Sequence, residues 1–196
     1  LARNCETGTG LACVTLAERF RTGNGAPASE LWATAMYAAG CVFDNAIGCG
    51  NLSVHLVEGK GVKKDRARAA ILAERACAMG EQNGCNSLGS MYFNGEGVPR
   101  NYTKAMELFE RGCAEGKAGG SADACLNAAN LYDRGAEVAF GSIPKDASRA
   151  LRFAEAGLRL APADAELIAL QGEAGADDEQ IAAGIGAVDA ATVGAG

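Results

Sequence analysis

The sequence predicts an all-α fold, a right-handed α-solenoid of about four helix–turn–helix repeats of 36 residues with one disulfide bond per repeat. Three observations lead to this prediction. Cysteines recur in pairs at a fixed step, and glycines and alanines recur in register with them. Each predicted helix also has an apolar face that one helix pair cannot bury by itself. Neighbouring units must therefore stack to complete the core.

The cysteines set the period of the repeat. The first members of the pairs recur every 36 residues, at Cys5, Cys41, Cys77 and Cys113. The second members keep this step except that the last comes four residues late, and they are Cys13, Cys49, Cys85 and Cys125. Because equivalent positions in a repeat are expected to pair equivalently, we predict the bonds Cys5–Cys13, Cys41–Cys49, Cys77–Cys85 and Cys113–Cys125. Zinc binding, which favours more closely spaced ligands, and free buried thiols remain as alternatives.

The first helix of each unit is predicted to begin near the second cysteine and to end before a glycine. The predicted ranges are Cys13–Thr22, Cys49–Glu58, Cys85–Asn94 and Cys125–Arg134. Apolar or small residues recur at i, i+3, i+4 and i+7 from the cysteine, which is one face of a helix. The i+4 residue is always small, so a close approach of the partner helix is expected at Ala17, Ser53, Gly89 and Ala129.

The second helix of each unit is predicted to begin at a capping residue whose side-chain oxygen can accept from open backbone N–H groups. The predicted ranges are Ser29–Gly40, Asp65–Ala76, Asn101–Gly112 and Asp146–Gly157. An alanine is expected on the buried face of each second helix, at Ala33, Ala69, Ala105 and Ala150.

The fourth unit departs from the regular pattern. Residues 136–142 are interpreted as an inserted surface loop, and Leu158 stands where another cysteine is expected. We predict a solenoid over residues 1–171, with a final capping helix after the units near 5–40, 41–76, 77–112 and 113–157. Residues 172–196, rich in Ala and Gly, are expected to form a tail or a weak cap. Because Leu1 already lies inside the repeat pattern, the sequence is expected to be an excised piece or a processed product with further repeats upstream.

Composition excludes several classes of partner. The formal net charge is -6 and the Lys and Arg residues are scattered, so nothing favours binding to nucleic acid or to an anionic membrane. No apolar run approaches the roughly 20 residues of a membrane-spanning helix. Eight paired cysteines are typical of an oxidising compartment, which predicts an extracytoplasmic location, periplasmic or secreted. We expect a monomer that needs no cofactor and no metal.

The segment from Gly84 to Ala105 has the pattern G-C-x-x-L-G-x-x-Y-x-x-G-x-G-V-x-x-N-x-x-K-A. It resembles the Sel1-like repeat, a relative of the tetratricopeptide repeat, and the cysteine pairs resemble the branch that contains the Helicobacter cysteine-rich proteins. The resemblance implies that each disulfide joins the second helix of one unit to the first helix of the next. It also implies an extracytoplasmic protein- or peptide-binding scaffold. The alternative that it implies is a β-lactam or peptidoglycan-fragment binding protein with weak β-lactamase-like hydrolase activity.

A helical wheel identifies the candidate binding residues. If positions i, i+3, i+4 and i+7 are buried, the opposite face of each first helix lies at i+2, i+5 and i+9. We call these twelve residues the first-helix face, and we expect them to line the concave side of the solenoid and to bind a protein or an extended peptide. They are Thr15, Glu18, Thr22, Asn51, Val54, Glu58, Ser87, Ser90, Asn94, Asn127, Asn130 and Arg134.

No catalytic residue is predicted. Ser142 and Lys145 fit the S-x-x-K pattern of serine β-lactamases, but Pro144 stands between them and Lys145 is expected in the turn before the helix capped by Asp146. The loop interpretation is therefore preferred. His55 falls in a column with Arg19, Met91 and Leu131 beside the exposed face, and it is interpreted as a surface or packing residue.

Overall fold

The structure is a computed structural model that describes residues 5–114, 119–135 and 143–171. In these ranges the helices follow one another in pairs. The first helices are α1 (Gly10–Thr22), α3 (Ala46–Glu58), α5 (Gln82–Asn94) and α7 (Ala122–Arg134). The second helices are α2 (Glu30–Val42), α4 (Arg66–Ala78), α6 (Tyr102–Cys113) and α8 (Ala147–Leu160). A further helix occupies residues 165–171, where the capping helix was predicted.

The helices pack in the order of the chain. Each helix contacts the next one along the sequence, and each first helix also contacts the next first helix. This arrangement confirms the predicted all-α solenoid of stacked helix pairs. Within the described ranges, no helix is both long enough and apolar enough to span a membrane.

All eight cysteines form disulfide bonds, and the pairing is the predicted one. Cys41 lies near the end of α2 and Cys49 in the first turn of α3, so the bond joins two consecutive units. The bonds Cys77–Cys85 and Cys113–Cys125 join α4 to α5 and α6 to α7 in the same way. The zinc and free-thiol interpretations of the cysteines are therefore wrong.

The first helices end where predicted but begin three residues earlier than the second cysteine, one turn before the predicted start. The Asn45 side chain caps α3 by accepting from the Gly48 N–H at 3.0 Å. Glycine in the first turn lowers helix propensity and hides this start from the sequence. It is needed there, because a Cβ on Gly48 would lie 2.8 Å from the backbone nitrogen of Cys41.

The second helices begin at the predicted caps. The side chains of Ser29, Asp65, Asn101 and Asp146 each accept from the backbone N–H three residues later. The predicted alanine column is fully buried. The column of small residues on the first helices is also buried. The second helix approaches this column closely, because a Cβ on Gly89 would lie 2.7 Å from a ring carbon of Phe109.

One predicted column is wrong. His55, Met91 and Leu131 are buried, and of that column only Arg19 is exposed. The wheel treated each first helix as buried on one side, but it packs both on its own second helix and on the second helix of the preceding unit. The contact with the preceding unit covers the i+6 position, as Thr34 and Tyr37 of α2 do at His55. The predicted loop at 136–142 and the predicted tail at 172–196 lie outside the described residues.

Candidate functional site

Two grooves lie side by side along the first helices of the second, third and fourth units. The larger, of about 480 Å³, lies between α5 and α7, and we call it the α5/α7 groove. The smaller, of about 210 Å³, lies between α3 and α5, and we call it the α3/α5 groove. Ser90 lines both, so the two grooves adjoin at the middle of α5.

The grooves bring together eight of the twelve residues of the first-helix face. Those that line the α5/α7 groove are Ser90, Asn94, Asn127, Asn130 and Arg134. Those that line the α3/α5 groove are Val54, Glu58, Ser87 and Ser90. The other four residues of the face, Thr15, Glu18, Thr22 and Asn51, line neither groove, although all twelve have solvent-accessible surface.

An asparagine that the sequence analysis did not select connects the two grooves. The side-chain nitrogen Nδ2 of Asn127 donates to Oδ1 of Asn86 at 2.9 Å. Asn86 lines the α3/α5 groove, whereas Asn127 lines the α5/α7 groove. The bond orients both carboxamides and leaves Oδ1 of Asn127 as an acceptor and Nδ2 of Asn86 as a donor. The equivalent residues in the other units are Val14, Gly50 and Leu126, so the repeat pattern gives no signal for a polar residue here.

The other polar side chains of the α5/α7 groove have no partner within the described part of the chain. No hydrogen bond engages the side chains of Ser90, Asn94 or Asn130, and Arg134 makes no ion pair with any described residue. The carboxylates of the α3/α5 groove differ in this respect. Glu58 forms an ion pair with Lys60, and Glu96 lies 3.6 Å from Arg66.

One wall of the α5/α7 groove is apolar, which the sequence analysis also missed. Phe93, 38% exposed, meets the ring of Tyr102 edge-on with 5.1 Å between the ring centroids. The buried side chains of Phe109 and Leu131 lie beneath them at the base of the groove. The helical wheel considered only the first helices at three positions per unit, and it therefore left out Phe93 at i+8 and Tyr102 at the start of α6.

Glu18 belongs to the first-helix face but is engaged inside the protein. It accepts a hydrogen bond from the hydroxyl of the buried Tyr37 and another from Arg21 at 2.7 Å. Burial by itself raises the pKa of Glu18, but the hydrogen bonds from Tyr37 and Arg21 and the charge of Arg21 outweigh it and lower the pKa. Burial also raises the pKa of Tyr37, as does its hydrogen bond to Glu18. The hydrogen bonds of Glu18 to Tyr37 and Arg21 therefore stabilise the first unit.

His55 packs beside this cluster and has a structural role. Its side chain is 4% exposed, and its ring meets that of Tyr37 edge-on at 5.1 Å. Its Nδ1 lies 2.6 Å from the Thr34 hydroxyl, which also contacts the carbonyl oxygens of Glu30 and Lys60. The Thr34 hydroxyl has a single proton, which it donates to one of those carbonyl oxygens. Nδ1 of His55 is therefore assigned as the donor to the hydroxyl oxygen. Burial lowers the pKa of His55 and favours the neutral ring.

The structure gives no support to the S-x-x-K interpretation. Ser142 lies outside the described residues. Lys145 is exposed and precedes Asp146, the N-cap of α8, so it is not on a helical turn. No group of three or more His, Cys, Asp or Glu side chains suited to a metal occurs within the described ranges.

Comparison with known protein families also identifies repeated units in this chain. The Sel1 repeat family matches residues 46–81, 83–117 and 122–160, which is more than half of the chain. No curated protein matches the sequence.

Three solved structures are similar to this one. The Escherichia coli protein c5321, a protective antigen of uropathogenic strains with an SLR fold, is 26% identical with a TM-score of 0.67. That match covers 80% of this chain but 32% of the E. coli protein. A Sel1 repeat protein from Oxalobacter formigenes is 24% identical with a TM-score of 0.66, over 79% of this chain and 60% of the other. Helicobacter pylori cysteine-rich protein B is 30% identical with a TM-score of 0.49, over 63% and 85%.

Proposed function

Because this chain belongs to the Sel1 repeat family, we propose that it is an extracytoplasmic scaffold that binds a protein or an extended peptide along its first-helix face. Repeat proteins of this kind bind through surfaces that extend over several units. The observation that supports the proposal is the α5/α7 groove. On its polar side, the side chains of Ser90, Asn94 and Asn130 have no partner among the described residues, and its other side is an aromatic wall.

The chemistry of the groove suits a peptide main chain. An extended peptide has N–H and C=O groups on both edges, and each needs a partner when water is removed. A carboxamide can donate to a carbonyl and accept from an N–H at once. Asn130 and Asn94 are free to do both, while the bonded pair keeps Nδ2 of Asn86 as a free donor and Oδ1 of Asn127 as a free acceptor. The asparagines can therefore bind a peptide main chain through contacts that do not depend on the peptide's side chains.

The four disulfide bonds support an extracytoplasmic location. Such bonds persist in oxidising environments and are rare in the cytosol. The similar E. coli protein is a protective antigen, which accords with this location.

A peptide selection tests the proposed function. The disulfide-intact protein is immobilised and used to select from a displayed library of random short peptides, and the enriched peptides are synthesised and titrated by fluorescence anisotropy. We expect the combined variant Asn94→Ala, Asn127→Ala, Asn130→Ala to lose about tenfold or more in affinity, because three main-chain hydrogen bonds are removed.

The matched control is Asn83→Ala. Asn83 is exposed in the first turn of α5 and lines neither groove, so this variant should bind as the unmodified protein does. Circular dichroism checks that every variant retains its helices. Equal affinity of the triple variant and the control would place the binding site elsewhere and contradict the proposal.

A further inference from the structure

The α5/α7 groove combines an uncompensated positive charge with an aromatic wall. Arg134 is the charged residue among the described residues that line it, and no described carboxylate neutralises its guanidinium. The protein as a whole has a net charge of -6, so this local charge is opposite in sign to the rest of the molecule. A ligand that binds here meets a cation that still requires an anion.

The charged side chains that line the neighbouring groove have partners, unlike Arg134. In the α3/α5 groove, Glu58 is paired with Lys60, and Glu96 lies 3.6 Å from Arg66. On the same face, Glu18 is bonded to Arg21. Arg134 is therefore the position of the first-helix face where charge complementarity with a partner remains to be satisfied.

On this basis we propose that the α5/α7 groove selects an extended segment that has an aliphatic or aromatic side chain and, two residues away, an aspartate or glutamate side chain. The inference rests on the proposed function and adds the class of ligand. In an extended chain, side chains two residues apart point to the same side, so one can pack on Phe93 and Tyr102 while the other reaches Arg134. A guanidinium and a carboxylate form a charge-assisted, often bidentate, hydrogen-bonded pair.

The position of Arg134 on its helix favours a side-chain carboxylate over a chain terminus. The groove asparagines Asn127 and Asn130 lie on the second and third turns of α7, and the peptide main chain is placed over them. Arg134 is the last residue of α7, four residues beyond Asn130, which is about 6 Å further along the helix axis. A peptide main chain that crosses α7 at Asn130 therefore reaches Arg134 with one of its side chains and not with its own terminus.

Charge reversal tests the inference. The displayed library of random short peptides is selected in parallel on the unmodified protein, on Arg134→Glu and on Arg134→Lys. We expect peptides with an apolar residue two positions from an acidic residue to be enriched on the unmodified protein and, more weakly, on Arg134→Lys. Arg134→Glu should bind those peptides about tenfold less tightly and should prefer basic residues at the acidic position.

The control variant is Arg19→Glu. Arg19 is exposed in the last turn of α1, away from both grooves, so its reversal changes the net charge and the helix terminus in the same way as Arg134→Glu. Its selected peptides should be those of the unmodified protein. For synthetic peptides, replacing the internal acidic residue by its amide should weaken binding about tenfold, whereas amidation of the C-terminus should not.

The outcomes separate the two proposals. Peptides whose binding depends on the groove asparagines but not on Arg134→Glu would overturn the inference and leave the proposed function standing. Sensitivity to C-terminal amidation alone would overturn the choice of a side-chain carboxylate. A selection that enriches no peptide on any variant would overturn both.

Discussion

The first and fourth units place different polar residues at the same position of the first helix, Glu18 in α1 and Asn130 in α7. Glu18 is bonded to the buried Tyr37 and to the exposed Arg21, so its carboxylate is satisfied within the first unit. Asn130 has no partner among the described residues and faces the α5/α7 groove. Equivalent positions of a repeat can thus serve stability at one end and remain available to a ligand at the other.

The difference arises from the neighbouring second helix. In the first unit, α2 places Tyr37 and Thr34 under the face, where they bond to Glu18 and to His55. In the fourth unit, the position of α8 that is equivalent to Tyr37 is occupied by the buried Ala154, which offers no hydrogen bond to α7. In the third unit the equivalent residue of α6 is Phe109, which likewise offers none to α5. The side chains of Ser90 and Asn130 therefore remain unpaired among the described residues.

The largest expected effect comes from removing one disulfide at each end. One variant, Cys113→Ala with Cys125→Ala, removes the bond between α6 and α7. The other, Cys5→Ala with Cys13→Ala, removes the bond between Cys5 and α1. Each pair should lower the free energy of unfolding by about 2 to 3 kcal/mol, because closure of a short loop no longer restricts the unfolded chain. Urea denaturation measures the loss. Only the first pair should weaken peptide binding, and equal loss of binding in both would contradict separate roles for the two ends.

The hydroxyl of Tyr37 should contribute less. Tyr37→Phe removes the hydrogen bond to the Glu18 carboxylate within a fully buried ring, so we expect a loss of about 1.5 kcal/mol in the free energy of unfolding. Chemical denaturation at neutral pH measures it. In the control, Tyr102→Phe, the half-buried ring keeps its edge contact with Phe93 and loses no hydrogen bond to a described residue, so stability should not change. Peptide affinity unaltered by Tyr37→Phe would sharpen the distinction between the two ends.

Acid should destabilise the first two units through His55. Burial lowers the pKa of His55 in the folded protein below its ordinary value of 6.5, so the unfolded chain binds the proton more readily. The contribution of His55 to the free energy of unfolding is therefore fully present above that value. It is lost as the pH falls below that value, by at most about 1.4 kcal/mol per pH unit.

Denaturation between about pH 7.5 and about pH 5.5 tests this, with His55→Gln as the control that removes the titrating group. The variant should show a flatter dependence over this range. The lowered pKa of Glu18 acts in a separate window, because its contribution is present above its ordinary value of 4.5 and is lost only as the pH falls below that value. An equal slope in the two proteins would remove His55 as the cause.

The smallest effect is expected from the paired charges of the α3/α5 groove. Lys60→Ala removes the partner of Glu58 without removing a buried contact, because both side chains are largely exposed. The denaturation midpoint should not change measurably. If unpaired charge on the first-helix face selects ligands, the variant should gain a preference for peptides with a basic residue, detected in the same displayed selection. Unchanged peptide preferences would limit the role of free charge to the α5/α7 groove.

Much of the fold could be predicted because its signals are local. The caps at Ser29, Asp65, Asn101 and Asp146 act within three residues, and the disulfides join cysteines 8 or 12 residues apart. The starts of α3 and α5 were missed for a physical reason. Gly48 and Gly84, which permit the close approach to the preceding helix, also weaken the helical pattern.

The candidate site was predicted only in part. The wheel positions identified the asparagines of the groove because those positions lie opposite the buried face of each first helix, and the cysteine period locates that face in every unit. Phe93, Tyr102 and Asn86 do not repeat, and their place in the grooves depends on contacts between helices from different units. His55 was placed beside an exposed column because contact with the second helix of the preceding unit was not considered.

The sequence by itself determined the repeat, the four disulfide pairs, the order of the helices and the polar character of one face, because each depends on residues close together in the chain. Only the tertiary structure decided which members of that face are free. Whether a carboxylate or carboxamide is satisfied depends on which side chain the neighbouring helix presents, as Tyr37 does for Glu18 and Asn86 for Asn127. The hydrogen-bonded partners on this face lie up to 41 residues apart in the sequence, and local sequence patterns do not predict which of them come into contact.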